Sequence, residues 1–143
     1  MSQSIREQII REVLSRCQAG VLTTPVMRQP TVAIPRDQTP LLIVSVVSDA
    51  RVKRSNDRME RDLVVRLIGH ARDPTDGYAV ADDLLCRAHL ALFVDTTLAG
   101  MALGIEEMDA DYQAEDADVD AIAIPAHYRI TYRTLVADLT QKG

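Results

Sequence analysis

The sequence predicts an α+β fold: a four-stranded, mostly antiparallel sheet with two helices packed on one face, in the order α-β-β-α-β-β. Three observations predict it. Ile5, Ile9, Val13, Leu14 and Cys17, and later Ala81, Leu84, Leu85, Ala88 and Leu92, recur at the three-and-four spacing of an apolar helix stripe. Four other segments, 41–47, 63–68, 101–106 and 122–132, carry short β-branched runs or strict alternation. The chain has 143 residues, the size of one domain spanning 1–143, so these elements have to share a core.

Ser4 followed by Glu7 has capping-box spacing and starts the first helix, which is expected to end before Gly20. Pro25, Pro30, Pro35 and Pro40 then block helix and central strand alike, which predicts an extended surface segment over 21–40. Residues 41–47 (LLIVSVV) read as a buried strand, and 48–60 as a polar turn or long hairpin tip. The next strand, 63–68, is apolar except for Arg66 and is expected to be mostly covered on both sides. Asp73-Pro74, with a second acid at Asp76, predicts a helix whose first residue is Pro74 and whose cap is Asp73; its Asp82, Asp83, Arg87 and His89 are expected to point away from the sheet. Met101, Leu103 and Ile105 alternate with Ala102, Gly104 and Glu106 as a third strand. In the last, Ile122, Ile124, Ala126, Tyr128, Ile130 and Tyr132 hold one face, and His127, Arg129, Thr131 and Arg133 the other. Pro125 there demands an edge position or a bulge.

Composition narrows function. The chain is 47% hydrophobic with one Phe and no Trp, so a core of Leu, Ile, Val and Ala is expected and an aromatic platform for nucleic acid is not. No stretch approaches the length of a membrane span, and a soluble, unexported protein without membrane contact is expected. Cys17 and Cys86 lack Cys-x-x-Cys spacing and read as two reduced, packed thiols rather than a disulfide or zinc site. The glycines form no phosphate loop, and no serine sits in a nucleophile elbow. His70, His89 and His127 are isolated in sequence and read as packed or surface residues. No catalytic residue, cofactor or metal ligand is assigned.

Asp116, Asp118 and Asp120 match the first three ligand positions of a calcium loop. Ala121 then stands where glycine is needed and His127 where a bidentate Glu belongs, so a solvated acidic tip is the better reading. Charge is segregated along the chain. Residues 1–100 hold 13 basic and 12 acidic side chains, whereas 101–143 hold 3 and 9. The basic cluster Arg51, Lys53, Arg54 and Arg58 and the acidic cluster Asp109, Asp111, Asp116 and Asp118 are the candidate contact residues: copies meeting head to tail through them make a heterologous interface that closes into a ring when the rotation permits. Interleaved acids and a net charge of −5 argue against specific nucleic-acid binding.

The opening helix, the proline-punctuated lead into 41–47, the Ala-Arg-Asp-Pro turn at 71–74, the Ala-Asp-Asp-Leu-Leu helix at 81–85 and the closing Tyr-Arg-Ile-Thr-Tyr-Arg-Thr at 128–134 together resemble the tail terminator family of long-tailed bacteriophages. That family is the minor tail protein U group and its relatives among tail-completion proteins, and the resemblance covers most of the chain. It implies a small non-enzymatic subunit that forms a ring, six-membered in the lambda-like members, on the finished end of the tail tube. There it stops growth and presents a surface to the head. The implied partners are other copies of the chain, the tail tube protein and a head-completion protein; the implied location is the virion tail, and the bacterial cytoplasm during assembly. Three other readings stay open: another head-tail connector, a carboxylate-based divalent-ion module or enzyme around Asp109 to Asp120, and a nucleic-acid contact through Arg51 to Arg61.

Overall fold

The computed structural model describes residues 2–28, 40–73, 75–110 and 122–143. The elements are α1 (Ile5–Val21), β1 (Val26–Arg28), β2 (Leu41–Ser55), β3 (Arg58–Ala71), α2 (Gly77–Leu92), β4 (Ala102–Met108) and β5 (Ile122–Leu135). The α+β class and the two helices agree with the sequence reading. The sheet has five strands rather than four, in the order β1-β2-β3-β5-β4, and it is mixed because β1 runs parallel to β2 while every other pair is antiparallel. The added strand is only three residues long and lies at the sheet edge, inside the stretch expected to be an extended surface segment. A fork of hydrogen bonds from Arg28 to Glu7, at 2.7 and 2.9 Å, ties β1 to α1. This use of Glu7 leaves the capping box half made: the Ser4 hydroxyl accepts from the Glu7 N–H at 3.0 Å, while the Glu7 carboxylate turns to Arg28 and Arg11. Those two cations hold the Glu7 carboxyl below its ordinary pKa, Arg28 contributing most.

Both helices join one core with alternate residues of the sheet: Leu42 and Val44 of β2, Leu63, Val65 and Leu67 of β3, and Tyr128, Ile130 and Tyr132 of β5. The opposite residues of β3, Val64, Arg66 and Ile68, are partly buried, in line with a strand mostly covered on both sides. Two helices cover one face, and the run of apolar side chains on the other reads in sequence like a second buried row.

Two glycines set the packing. A Cβ at Gly69 of β3 would lie 2.5 Å from the carbonyl oxygen of Ala81, and one at Gly20 would lie 2.9 Å from both the Ala91 Cβ and the Arg87 carbonyl oxygen. Gly20 is therefore inside α1, where α2 crosses it, and does not end the helix. The chain turns one residue further on than α1's last residue, at Leu22, whose φ of 55° and ψ of −108° belong to a type II′ turn closed by a hydrogen bond from the Thr24 N–H to the Val21 carbonyl. The start of α2 is corrected as well. The Asp73 carboxylate accepts from the Thr75 and Asp76 N–H groups as a cap does, but the regular helix begins at Gly77.

The β2–β3 pair runs on as a long hairpin, called the ribbon below, that turns at Asn56-Asp57, with Asn56 at φ 58°; β5 accompanies β3 to its end, where Arg58 pairs with Leu135. The segment read as a tip is thus mostly strand. In β4 a register shift between Ala102 and Gly104 changes the phase: Ala102 and Ile105 are buried and Leu103 is 53% exposed, which corrects the simple alternation. Pro125 pairs with Ile68 of β3 beyond the point where β4 ends at Met108, the edge-like position its missing N–H requires.

Substituting Gly69→Ala drives a methyl into the Ala81 carbonyl and is expected to lower stability by about 3 kcal/mol in urea denaturation. Leu22→Gly is expected to raise it by about 1 kcal/mol, because glycine adopts that turn position without strain. A loss of stability in the second variant would mean that the exposed leucine contributes packing that its 72% exposure does not suggest.

Candidate functional site

Arg51, Lys53, Arg54 and Arg58 all lie on the β2–β3 ribbon, and all are exposed. The register pairs Lys53 with Glu60, and Glu60 with Arg133 of β5, whose guanidinium reaches the Glu60 carboxylate at 3.2 Å. Arg54 donates to the carbonyl of Asn56 at 3.0 Å and so braces the turn. Asp109 is exposed just past the end of β4, beside the level of Arg66 and His127. Arg58 and Arg66 are eight residues apart along β3, about 26 Å of strand. The basic ribbon and Asp109 therefore occupy different regions of one long sheet. The other acidic candidates, Asp111, Asp116 and Asp118, lie outside the described residues, as does Asp120 of the calcium-loop comparison.

The uncovered sheet face holds a site that charge counting along the sequence passed over. Running down β3 and β5 from the ribbon, cross-strand partners come in successive rows: Glu60 with Arg133, Asp62 with Thr131, Val64 with Arg129, Arg66 with His127, Ile68 with Pro125. The rows nearest the ribbon are internally satisfied. Thr131 donates to Asp62 at 2.8 Å, and Arg129 approaches Asp62 at 3.8 Å and Glu106 of β4 at 3.5 Å. The fourth row is not. The Nε of Arg66 and the Nδ1 of His127 are buried atoms without hydrogen-bond partners, as is the hydroxyl of Ser45, the partner of Arg66 on β2. No ion pair to Arg66 occurs among the described residues.

This row floors a half-open trough of about 450 Å³ whose walls include Val47, Val64, Ile68, Met108 and Pro125, with Asp109 also in its lining. Its chemistry is that of a largely apolar groove with cationic and neutral donors at the bottom and one acid, Asp109, which makes no ion pair to Arg66. Leaving a partly buried guanidinium without a carboxylate is unfavourable, since the charge loses solvation and gains no partner. Sequence carried a signal: Arg66 interrupts an otherwise apolar strand. What it lacked was the identity of the neighbours across β5 and β4.

The histidines do not converge. His70 is buried at the far end of the sheet and held below its ordinary pKa by burial and then by Arg72. His89 departs from the expectation that it points away from the sheet: its ring stacks on Phe93 and its Nδ1 lies 2.8 Å from the Tyr128 hydroxyl, an arrangement that satisfies two polar groups at the edge of the core. Cys17 is buried and its thiol is pushed up to about 12 by desolvation, while Cys86 is exposed, which corrects its reading as a packed thiol. Both cysteines are free. Among the described residues no three His, Cys, Asp or Glu side chains gather as a metal site would require, and no helix is long and apolar enough to cross a membrane.

No family model matches the chain, and no curated protein matches it. Among solved structures, one described as "Virion of native gene transfer agent (GTA) particle" aligns over 90% of each chain with 13% identity and a TM-score of 0.47. A likeness at that level does not carry over a fold or a function, so function has to be argued from this chain's own residues.

Replacing Arg66 by Met keeps the stem and removes the unpaired charge, and is expected to stabilise the isolated chain by roughly 1 kcal/mol. Urea midpoints compared at equal m-value test this; a destabilised Arg66→Met variant would show that the guanidinium is held favourably within the single chain.

Proposed function

We propose that this chain is a structural, non-enzymatic subunit of a phage or prophage virion: a tail terminator or completion protein that assembles as a head-to-tail ring on the tail tube. The observation that carries the reading is the sheet face left bare by the helices. It joins an exposed ribbon bearing Arg51, Lys53, Arg54 and Arg58 to a trough with an unpaired Arg66, and it ends beside the acids of β4. A surface with separated charge and apolar walls is suited to orienting and holding other protein chains. The segment-by-segment resemblance to tail terminators supplies the kind of assembly. In this reading the ribbon reaches a neighbour or the tube, and the partners are further copies, the tail tube protein and a head-completion protein.

Sedimentation velocity from micromolar to millimolar protein, with and without tail tubes and Mg²⁺, is expected to show one closed species of discrete size that blocks tube elongation. A chain that stays monomeric throughout and leaves elongation untouched overturns the reading. Changing Arg51, Lys53, Arg54 and Arg58 together to Ser is expected to abolish tube capping while shifting stability by no more than about 0.5 kcal/mol, because all four are exposed.

A further inference from the structure

We propose that the trough floored by Arg66 and His127 receives the acidic β4 edge of a second copy of this chain, so that carboxylates from one subunit complete the unsatisfied row of the next. The inference rests on the reading of the chain as a self-assembling subunit and deepens it by naming both halves of the contact.

The receiving half is defined by what it lacks. Arg66 Nε and His127 Nδ1 lie side by side across β3 and β5, buried and unpartnered, between largely apolar walls. On the same face Arg129 and Arg133 each have a carboxylate within 4 Å. The missing group is therefore an acceptor, preferably a carboxylate, carried on a segment with apolar side chains to fill the walls. The trough is half open along a sheet face, which suits a polypeptide segment better than a small ligand, whose surface a pocket normally encloses.

The inserting half belongs to the same chain. β4 is the outer strand of the sheet, with one side unpaired by any described strand. It carries Leu103 at 53% exposure, and Glu106, whose side chain is 75% exposed and held only by Arg129 at 3.5 Å. Glu107 follows, exposed and without an ion pair among the described residues, whereas Asp109 lines the trough of its own chain. Acids at an open edge prevent indiscriminate strand addition and at the same time match a cationic receptor.

The geometry fits a ring. One half is a sheet face and the other a sheet edge, so the contact joins two different patches, and repeating it around an axis builds a ring or a filament. A carboxylate reaching Arg66 gains charge-assisted hydrogen bonds with a partly buried guanidinium.

Charge reversal with the full chain tests this by sedimentation velocity. Arg66→Glu alone and Glu106→Arg with Glu107→Arg alone are each expected to weaken self-association by at least about tenfold. An equimolar mixture of the two is expected to restore it, because every trough then meets an edge of opposite sign. Near-UV circular dichroism and urea midpoints establish that each variant folds, and Arg66→Gln serves as the milder substitution if Arg66→Glu does not. Assembly indifferent to both reversals, or a mixture of folded variants that fails to recover, overturns the contact while the ring reading stands. Loss of tube binding with self-association intact assigns the trough to the tube protein and overturns the proposal. Recovery that stops at two copies keeps the contact and overturns the ring; a wild-type chain that never self-associates overturns both.

Discussion

Gly69 lets the backbone of β3 run against the carbonyl of Ala81, and this close approach fixes where α2 sits on the sheet. With no side chain at that point, the apolar stripe Ala81, Leu84, Leu85 and Ala88 beds down on the inward row of β3 and β5. Gly20 repeats the device one layer out, where α1 crosses α2 against Ala91 and Arg87. Helix and strand contacts this short bury apolar area densely, and dense burial is what a core with one Phe and no Trp depends on. One buried tyrosine hydroxyl at its margin is paired, through a carboxylate whose other oxygen has no partner. Tyr132 donates to Asp49 at 2.8 Å, and Asp49 in turn accepts from Arg6 at 3.0 Å.

Concentrating both helices on one face has a consequence for the other. β3 is central in the sheet, and its outward residues Val64, Arg66 and Ile68 are partly buried on the face away from the helices, where Leu41, Ile43 and Ser45 of β2 are buried. Toward the ribbon the chain resolves this with cross-strand pairs of opposite charge. At Arg66 it does not, and the departure is local: largely apolar walls, a histidine, a serine and a cation that pairs with no carboxylate among the described residues. Places where a sequence breaks the local rules that the rest of it obeys are where contact with another molecule is sought first. Leu22, strained in a turn position suited to glycine and left exposed, is a second such departure at the opposite end of the helices.

The loop after α2 shows the opposite behaviour, a stretch organised around one fully engaged carboxylate. Asp95 accepts from the Thr97 and Ala99 N–H groups and the Thr97 hydroxyl, and pairs with Arg16 of α1 at 3.1 Å. These donors hold its carboxyl far below the ordinary carboxylate range, the Thr97 hydroxyl first among them. The turn through Leu98, Ala99 and Gly100, all at positive φ, is thereby pinned, and it delivers β4 to the edge of the sheet.

Much of the fold was legible in the residues themselves. Periodicity located both helices and the four longer strands, and the alternation from Ile122 to Tyr132 marked which side of β5 faces the core. These are properties of chain geometry, where spacing along the sequence equals direction in space. Three-residue β1 was not legible, since its pairing with β2 and its anchor, Arg28 on Glu7, are contacts between distant segments. Nor was the role of Gly20, which reads as a helix terminator until α2 is laid across it. The basic ribbon could be counted from composition. The unsatisfied row Ser45, Arg66 and His127 could not: its members come from three strands, and strand order and register decide who stands beside whom. Sequence by itself determined the elements and their buried faces, because local spacing sets those; only the tertiary structure decided which face stays bare and which cation is left alone, because that depends on pairing across the sheet.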